Sequence, residues 1–158
     1  MSETAESIVV CEGFQDRAFL RGFLEQVRGW KSLKGKPYAP HGKMVASHGQ
    51  YAFRRGEAWA RVVPAGSDHE VYAVANLEVE SARKRAVRRI VVIVDEDRLD
   101  TDDPTAARRE SFETWATKRG AIAVDGSDEF ELRASLVATR VSSIVWRAVD
   151  PPSEVLPA

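Results

Sequence analysis

Four carboxylates stand where they could hold a metal or move a proton: Glu12, Asp16, Asp95 and Asp97. Asp95 opens the run Asp95-Glu96-Asp97, directly after Ile90-Val91-Val92-Ile93-Val94. An unbroken apolar, largely β-branched run is the signature of a strand buried on both faces, the habit of a parallel sheet. Parallel α/β sheets place their chemistry beyond the carboxyl ends of such strands. Two like charges about 5 Å apart at an effective dielectric of about 20 repel by roughly 3 kcal/mol. A divalent cation removes that cost, so acids gathered at a strand end fit a metal site. The structural alternative is a strand running out into a solvated acidic turn.

Glu12 has the same setting. Ser7 to Cys11 reads as a short strand, Glu12-Gly13 as a tight turn, and Phe14 to Arg28 as a helix with Asp16 in its first turn. Phe19, Leu20, Phe23, Leu24 and Val27 recur at helical spacing, and Gly29 stops the helix. A second strand is expected over 58–63. Gly66 follows, and then a helix capped by Ser67 or Asp68 and reaching about Val87, with Val71, Ala75, Val79, Ala82 and Ala86 on one face. Arg83, Lys84, Arg85, Arg88 and Arg89 close that segment, where the helix macrodipole favours cations and a nucleic acid would also meet them. After the acids, Asp103-Pro104 caps a helix to about Lys118 that buries Phe112, Trp115 and Ala116. A strand over 121–124, a helix over 128–138 and a strand over 141–149 complete the reading. Strand and helix alternate, so the expected fold is α/β: a mostly parallel central sheet of four or five strands with helices on both faces. Residues 1–6 are expected to be a flexible start, 7–149 a single domain, and 150–158 an extended tail.

The chain has 158 residues and a net charge of -1, with 44% hydrophobic and 30% charged residues, as in a water-soluble globular domain. The apolar runs are too short to span a bilayer, and no signal-peptide pattern is present, so no membrane partner is expected. Cys11 is the only cysteine. It reads as a small buried hydrophobe in a cytoplasmic protein. The charge is segregated. Lys31, Lys34, Lys36, Lys43, Arg54 and Arg55 face no acid over 31–55, whereas 95–103 holds six acids and one arginine. The basic residues lie in 30–57, a stretch without periodicity that reads as an inserted loop. They are interleaved with Trp30, Tyr38, Tyr51 and Phe53. Cations attract backbone phosphates and rings stack on bases, which makes this segment a candidate nucleic-acid contact; a solvated loop is the alternative. His41 and His48 lie in it without a third ligand nearby and read as ordinary loop residues.

The order of these features resembles the TOPRIM domain. The resemblance rests on Val9-Val10-Cys11-Glu12-Gly13-Phe14-Gln15-Asp16, Val62-Val63-Pro64-Ala65-Gly66-Ser67 and Val92-Ile93-Val94-Asp95-Glu96-Asp97, and covers about 7–128. That domain is shared by topoisomerases, bacterial primases, small RNA-maturation nucleases and the overcoming-lysogenisation-defect (OLD) nucleases. The chain looks most like small stand-alone TOPRIM-like bacterial proteins. The resemblance implies a Rossmann-like fold in which Glu12 is a metal ligand or general acid/base and Asp95 and Asp97 hold Mg²⁺ or Mn²⁺. It matches Asp16 to a further metal acid of the OLD-like nucleases. Gly13, Gly66 and Ser67 would line the backbone side of the site. Ser67 stands where a second glycine is common, and Glu129 or Glu131 is the candidate for a later glutamate.

The first functional expectation is a metal-dependent phosphodiesterase acting on DNA or RNA, with Glu12, Asp95 and Asp97 catalytic. The second is a non-catalytic metal- or nucleic-acid-binding module working with a protein partner or as a homodimer. A haloacid-dehalogenase-type phosphatase also uses Asp-x-Asp after a strand. In that family, however, the pair follows the first strand and further aspartates lie well downstream.

Overall fold

A computed structural model describes residues 5–33, 37–38, 43–44, 51–67, 70–83, 86–95, 103–133 and 137–146. Three helices and ten strands are formed among them: β1 (Ala5–Cys11), α1 (Phe14–Gln26), β2 (Lys31–Ser32), β3 (Pro37–Tyr38), β4 (Lys43–Met44), β5 (Tyr51–Arg55), β6 (Ala58–Pro64), α2 (Val71–Ala82), β7 (Val87–Asp95), α3 (Pro104–Lys118), β8 (Ile122–Ala123), β9 (Phe130–Arg133) and β10 (Ala138–Trp146). Eight strands make one sheet in the order β2-β5-β6-β1-β7-β10-β9-β8, and β3 pairs with β4 separately.

The class is α/β, but the sheet is larger and more mixed than the expected four or five mostly parallel strands. Its centre, β6-β1-β7-β10, is parallel throughout. Both flanks are antiparallel. The buried β-branched runs of β1 and β7 signal a parallel centre. The short flanking strands carry too few residues to show a period of their own.

Alternation along β1 and β7 sorts the core into two layers. Ile8, Val10, Ile90, Val92 and Val94 pack with Val71, Ala75 and Val79 of α2 and Phe112, Trp115 and Ala116 of α3. Cys11 and Ile93 face the other way, with Leu20 of α1, Phe53 and Val62. Helices therefore cover both faces. The α1 stripe is only half used: Leu20 is buried, while Phe19, Phe23 and Val27 are exposed.

Several boundaries differ from expectation. β1 begins at Ala5, and Glu6 within it is buried, so the strand takes in part of the expected flexible start. The segment 30–57 contributes β2 and β5 to the main sheet, and β5 buries Ala52 and Phe53. α2 starts after Glu70, which makes no side-chain cap bond, and ends at Ala82. Val87, Arg88 and Arg89 belong to β7 rather than to a helix end. The expected helix over 128–138 is instead β9, paired antiparallel to both β8 and β10. Asp125-Gly126 forms the hairpin turn ahead of it, with Gly126 at φ 75. The Asp103 cap holds as expected, its carboxylate accepting from Ala106 N at 3.1 Å. No helix among the described residues is long and apolar enough to cross a membrane. The tail 150–158 lies outside the described residues.

Candidate functional site

The rim at the carboxyl ends of the parallel strands is built by three neighbours. β1 lies between β6 and β7, with Cys11 opposite Pro64 and Val10 opposite Val92. Glu12 is thus two residues past the last β1–β7 pair, and Asp95 three past it on the other strand. Extending the register places the two backbones about 6 Å apart, from a strand spacing of about 4.8 Å and one residue of offset. On the other side, Gly66 N donates to Glu12 O at 2.8 Å and Ala65 N donates to Cys11 O at 2.8 Å. Gly66 sits at φ 100, a left-handed conformation that glycine adopts without strain. Ser67 O accepts from Glu70 N on the approach to α2. Gly13 O receives a weak contact from the buried Cys11 thiol at 3.7 Å.

The Glu12 side chain is largely buried and faces α2 and α3, on the side of Ile8 and Val10. Arg108 of α3 brings Nη2 to 4.0 Å from its Oε1, each side chain 12% exposed. Tyr72 of α2 completes the group. Burial first, and the Glu12 carboxylate to a lesser degree, push its phenol up from 10.0 to about 12 against the opposing pull of Arg108. Its ring lies 5.5 Å from that of Trp115 at a tilt of 37°, and the Trp115 indole N–H donates to Asn76 Oδ1 at 2.8 Å. Arg108 and Tyr72 were not evident as site residues in the sequence. Arg108 left one signal, because it stands four residues before Phe112 and so interrupts the apolar face of α3 with a cation.

The other expected residues divide. Asp16 lies in the first turn of α1, two residues past the helix start. Asp97 falls outside the described residues, as do Lys34, Lys36, His41 and His48. Among the described residues, no three His, Cys, Asp or Glu side chains gather as a metal cluster. Carboxylate oxygen is the donor type a hard divalent cation takes, and an acid stands at the end of each of two adjacent parallel strands.

Lys31, Arg54 and Arg55 are not at this rim. Arg55 pairs with Ala58, and Lys31 pairs with Arg54, so all three lie at the amino end of β6, six residues from Pro64. At about 3.3 Å per residue, that is about 20 Å from the acids. Arg54 stacks on Trp59 at 4.9 Å, and Arg55 stacks on Trp30 at 4.8 Å. Lys43, in β4, belongs to the separate two-stranded sheet. Glu131 pairs with Arg140, which is level with Arg89, six residues before Asp95 on β7. Glu129 is in ion-pair contact with Arg89. Neither glutamate reaches the acidic rim, because β9 is a strand that starts far from it.

No family model and no curated protein matches the chain. Among solved structures, the hypothetical protein PH0156 from Pyrococcus horikoshii OT3 is similar in fold, with a TM-score of 0.61 and 16% identity over 87% of this chain and 54% of that one. The chain thus spans about half the length of that structure.

Proposed function

We propose that the chain is a TOPRIM-like, metal-dependent phosphodiesterase acting on DNA or RNA. The observation that carries this reading is the placement of Glu12 and Asp95 at the same ends of adjacent parallel strands. Glu12, Asp95 and Asp97 would hold Mg²⁺ or Mn²⁺, with Asp16 assisting from the first turn of α1. The ion supplies Lewis-acid charge that activates water and offsets charge on a scissile phosphate. Glu12 takes a proton from the attacking water when it is not committed as a ligand. Arg108, beside Glu12, offers a guanidinium to a phosphate oxygen. Tyr72 stays protonated at neutral pH and keeps its hydroxyl as a donor. Incubating the purified protein with single- and double-stranded DNA and RNA tests the proposal. Cleavage that needs Mg²⁺ or Mn²⁺ and disappears in Glu12→Gln is expected. A folded protein that cuts none of the four overturns it.

One observation favours the second reading, a binding module without turnover. Arg108 already provides positive charge beside Glu12, in part the charge a metal would otherwise supply. Calorimetry separates the two readings: metal-dependent nucleic-acid binding without cleavage supports the module.

A further inference from the structure

At the opposite rim, where the parallel strands begin, lies an open cavity of about 570 Å³ lined by Ser7, Trp30, Arg55, Arg88, Arg89 and Arg140. Among the described residues, four arginines and no acid line it. The register explains the clustering. Ser7, Arg89 and Arg140 occupy one row across β1, β7 and β10, so Arg89 and Arg140 stand directly opposite each other. Like charges in that relation repel. Two glutamates of the β8–β9 segment offset part of this. Glu129 lies 3.4 Å from Arg89 and 3.9 Å from Arg140, and Glu131 lies 3.6 Å from Arg140. Among the described residues, Arg55 and Arg88 have no carboxylate partner. Arg55 instead donates to Arg28 O at 3.0 Å and stacks on Trp30. The row lies on the α1 face of the sheet, but α1 packs over β6 rather than β10. Ile144, further along β10, is correspondingly 47% exposed.

We infer that this cavity is a second ligand site that binds adjacent phosphates, carried by a free nucleotide or by the end of a nucleic-acid strand. Guanidinium groups match phosphate oxygens in paired hydrogen bonds, and Arg keeps its charge at any physiological pH. The volume falls within the range of about 300–1,000 Å³ usual for small-ligand sites. Trp30 adds a ring at the cavity wall for a base to approach. Arg89 is six residues from Asp95 along β7, so bound phosphates would sit about 20 Å from the acidic rim. The site therefore stands independently of the proposed nuclease centre.

Calorimetry on the full chain in EDTA tests it with three probes: inorganic pyrophosphate, a nucleoside triphosphate and a 5′-phosphorylated single-stranded oligonucleotide. EDTA removes any contribution from metal held at the acidic rim. Binding is expected to weaken roughly tenfold or more in the double variant Arg88→Gln/Arg89→Gln, the worth of one or two charged hydrogen bonds. Arg55→Gln, on another strand, should weaken it independently, with the far-UV circular dichroism of both variants unchanged. Tighter binding of the triphosphate supports the site with a nucleotide as its source. Tighter binding of the oligonucleotide supports it with a strand end as its source. If none of the probes binds at millimolar concentration, or both folded variants bind as the wild type does, the inference is overturned.

Discussion

The Arg108 guanidinium of α3 lies 4.0 Å from the Glu12 carboxylate at the end of β1, and only 12% of either side chain is exposed. A helix thus delivers a cation to the acid on which the proposed chemistry turns. Removing one member of a largely buried charge pair costs more than the pair contributes, because the remaining charge keeps its desolvation penalty. Arg108→Gln is expected to lower stability by about 1–3 kcal/mol, read from urea denaturation. If Glu12 holds metal, the same variant should bind Mn²⁺ more tightly, because a competing positive charge has gone. Unchanged or weaker Mn²⁺ binding would mean that Arg108 does not compete for Glu12.

Tyr72 reports on the same group through its titration. Its phenol is pushed up from 10.0 to about 12, mainly by burial. The folded state therefore holds the proton more tightly than the unfolded chain. The stability this contributes is complete below pH 10 and is lost as the pH rises through about 12. A phenolate absorbance titration of the native protein should show a component near pH 12 that Tyr72→Phe removes. The substitution should also flatten the alkaline loss of stability above pH 10. Its cost at neutral pH should be under about 1 kcal/mol, since the hydroxyl makes no hydrogen bond among the described residues.

On the same face, nearer the amino end of the sheet, Arg61 lies between two buried carboxylates. Its guanidinium is 3.4 Å from Glu6 of β1 and hydrogen-bonds Glu78 of α2 at 3.2 Å. All three residues are at most 6% exposed. Arg61→Met would leave two acids buried together without the cation between them. A loss of about 3–5 kcal/mol is expected in denaturant unfolding. Combining Arg61→Met with Glu6→Gln and Glu78→Gln should recover much of it, since the cost lies in the uncompensated charge. A single variant as stable as the wild type would show that the guanidinium is not what offsets the burial of the two acids.

The central strands and α3 were legible because their signals are local. Val92-Ile93-Val94 is apolar on both faces, and Asp103-Pro104 sets a helix start through one side chain and one fixed φ. The hairpin of β8 and β9 was not read. Asp125-Gly126-Ser127 resembles a helix cap as much as a turn, and Glu129-Phe130-Glu131-Leu132 alternates over only four residues. Pairing with β10 decides the matter, and that is a tertiary interaction. The pairing of β1 with β7, which brings the backbones of Glu12 and Asp95 to neighbouring strand ends, is a tertiary fact as well. The location of the basic residues was not legible either. Lys31, Arg54 and Arg55 are separated from the acids by the length of β6, because the chain reverses through the β5–β6 hairpin. Nothing in the spacing of residues 31–55 shows at which end of the sheet that reversal falls.

The Asp103 cap tests whether α3 is needed to place Arg108. Its carboxylate accepts from Ala106 N at 3.1 Å, and Pro104 fills a position where a missing N–H costs nothing. Asp103→Ala leaves that amide without its side-chain acceptor and removes a negative charge from the positive end of the helix dipole. The expected loss is about 1 kcal/mol. For a domain of this size, that is a fall in Tm of roughly 2–5 °C. The helix should persist, held by Phe112 and Trp115 in the core, so its first turn alone should loosen. Hydrogen exchange should then quicken at 106–108 and stay slow at 112–116. Faster exchange along the whole helix would mean that the cap, more than the packed face, holds α3 and with it Arg108 beside Glu12.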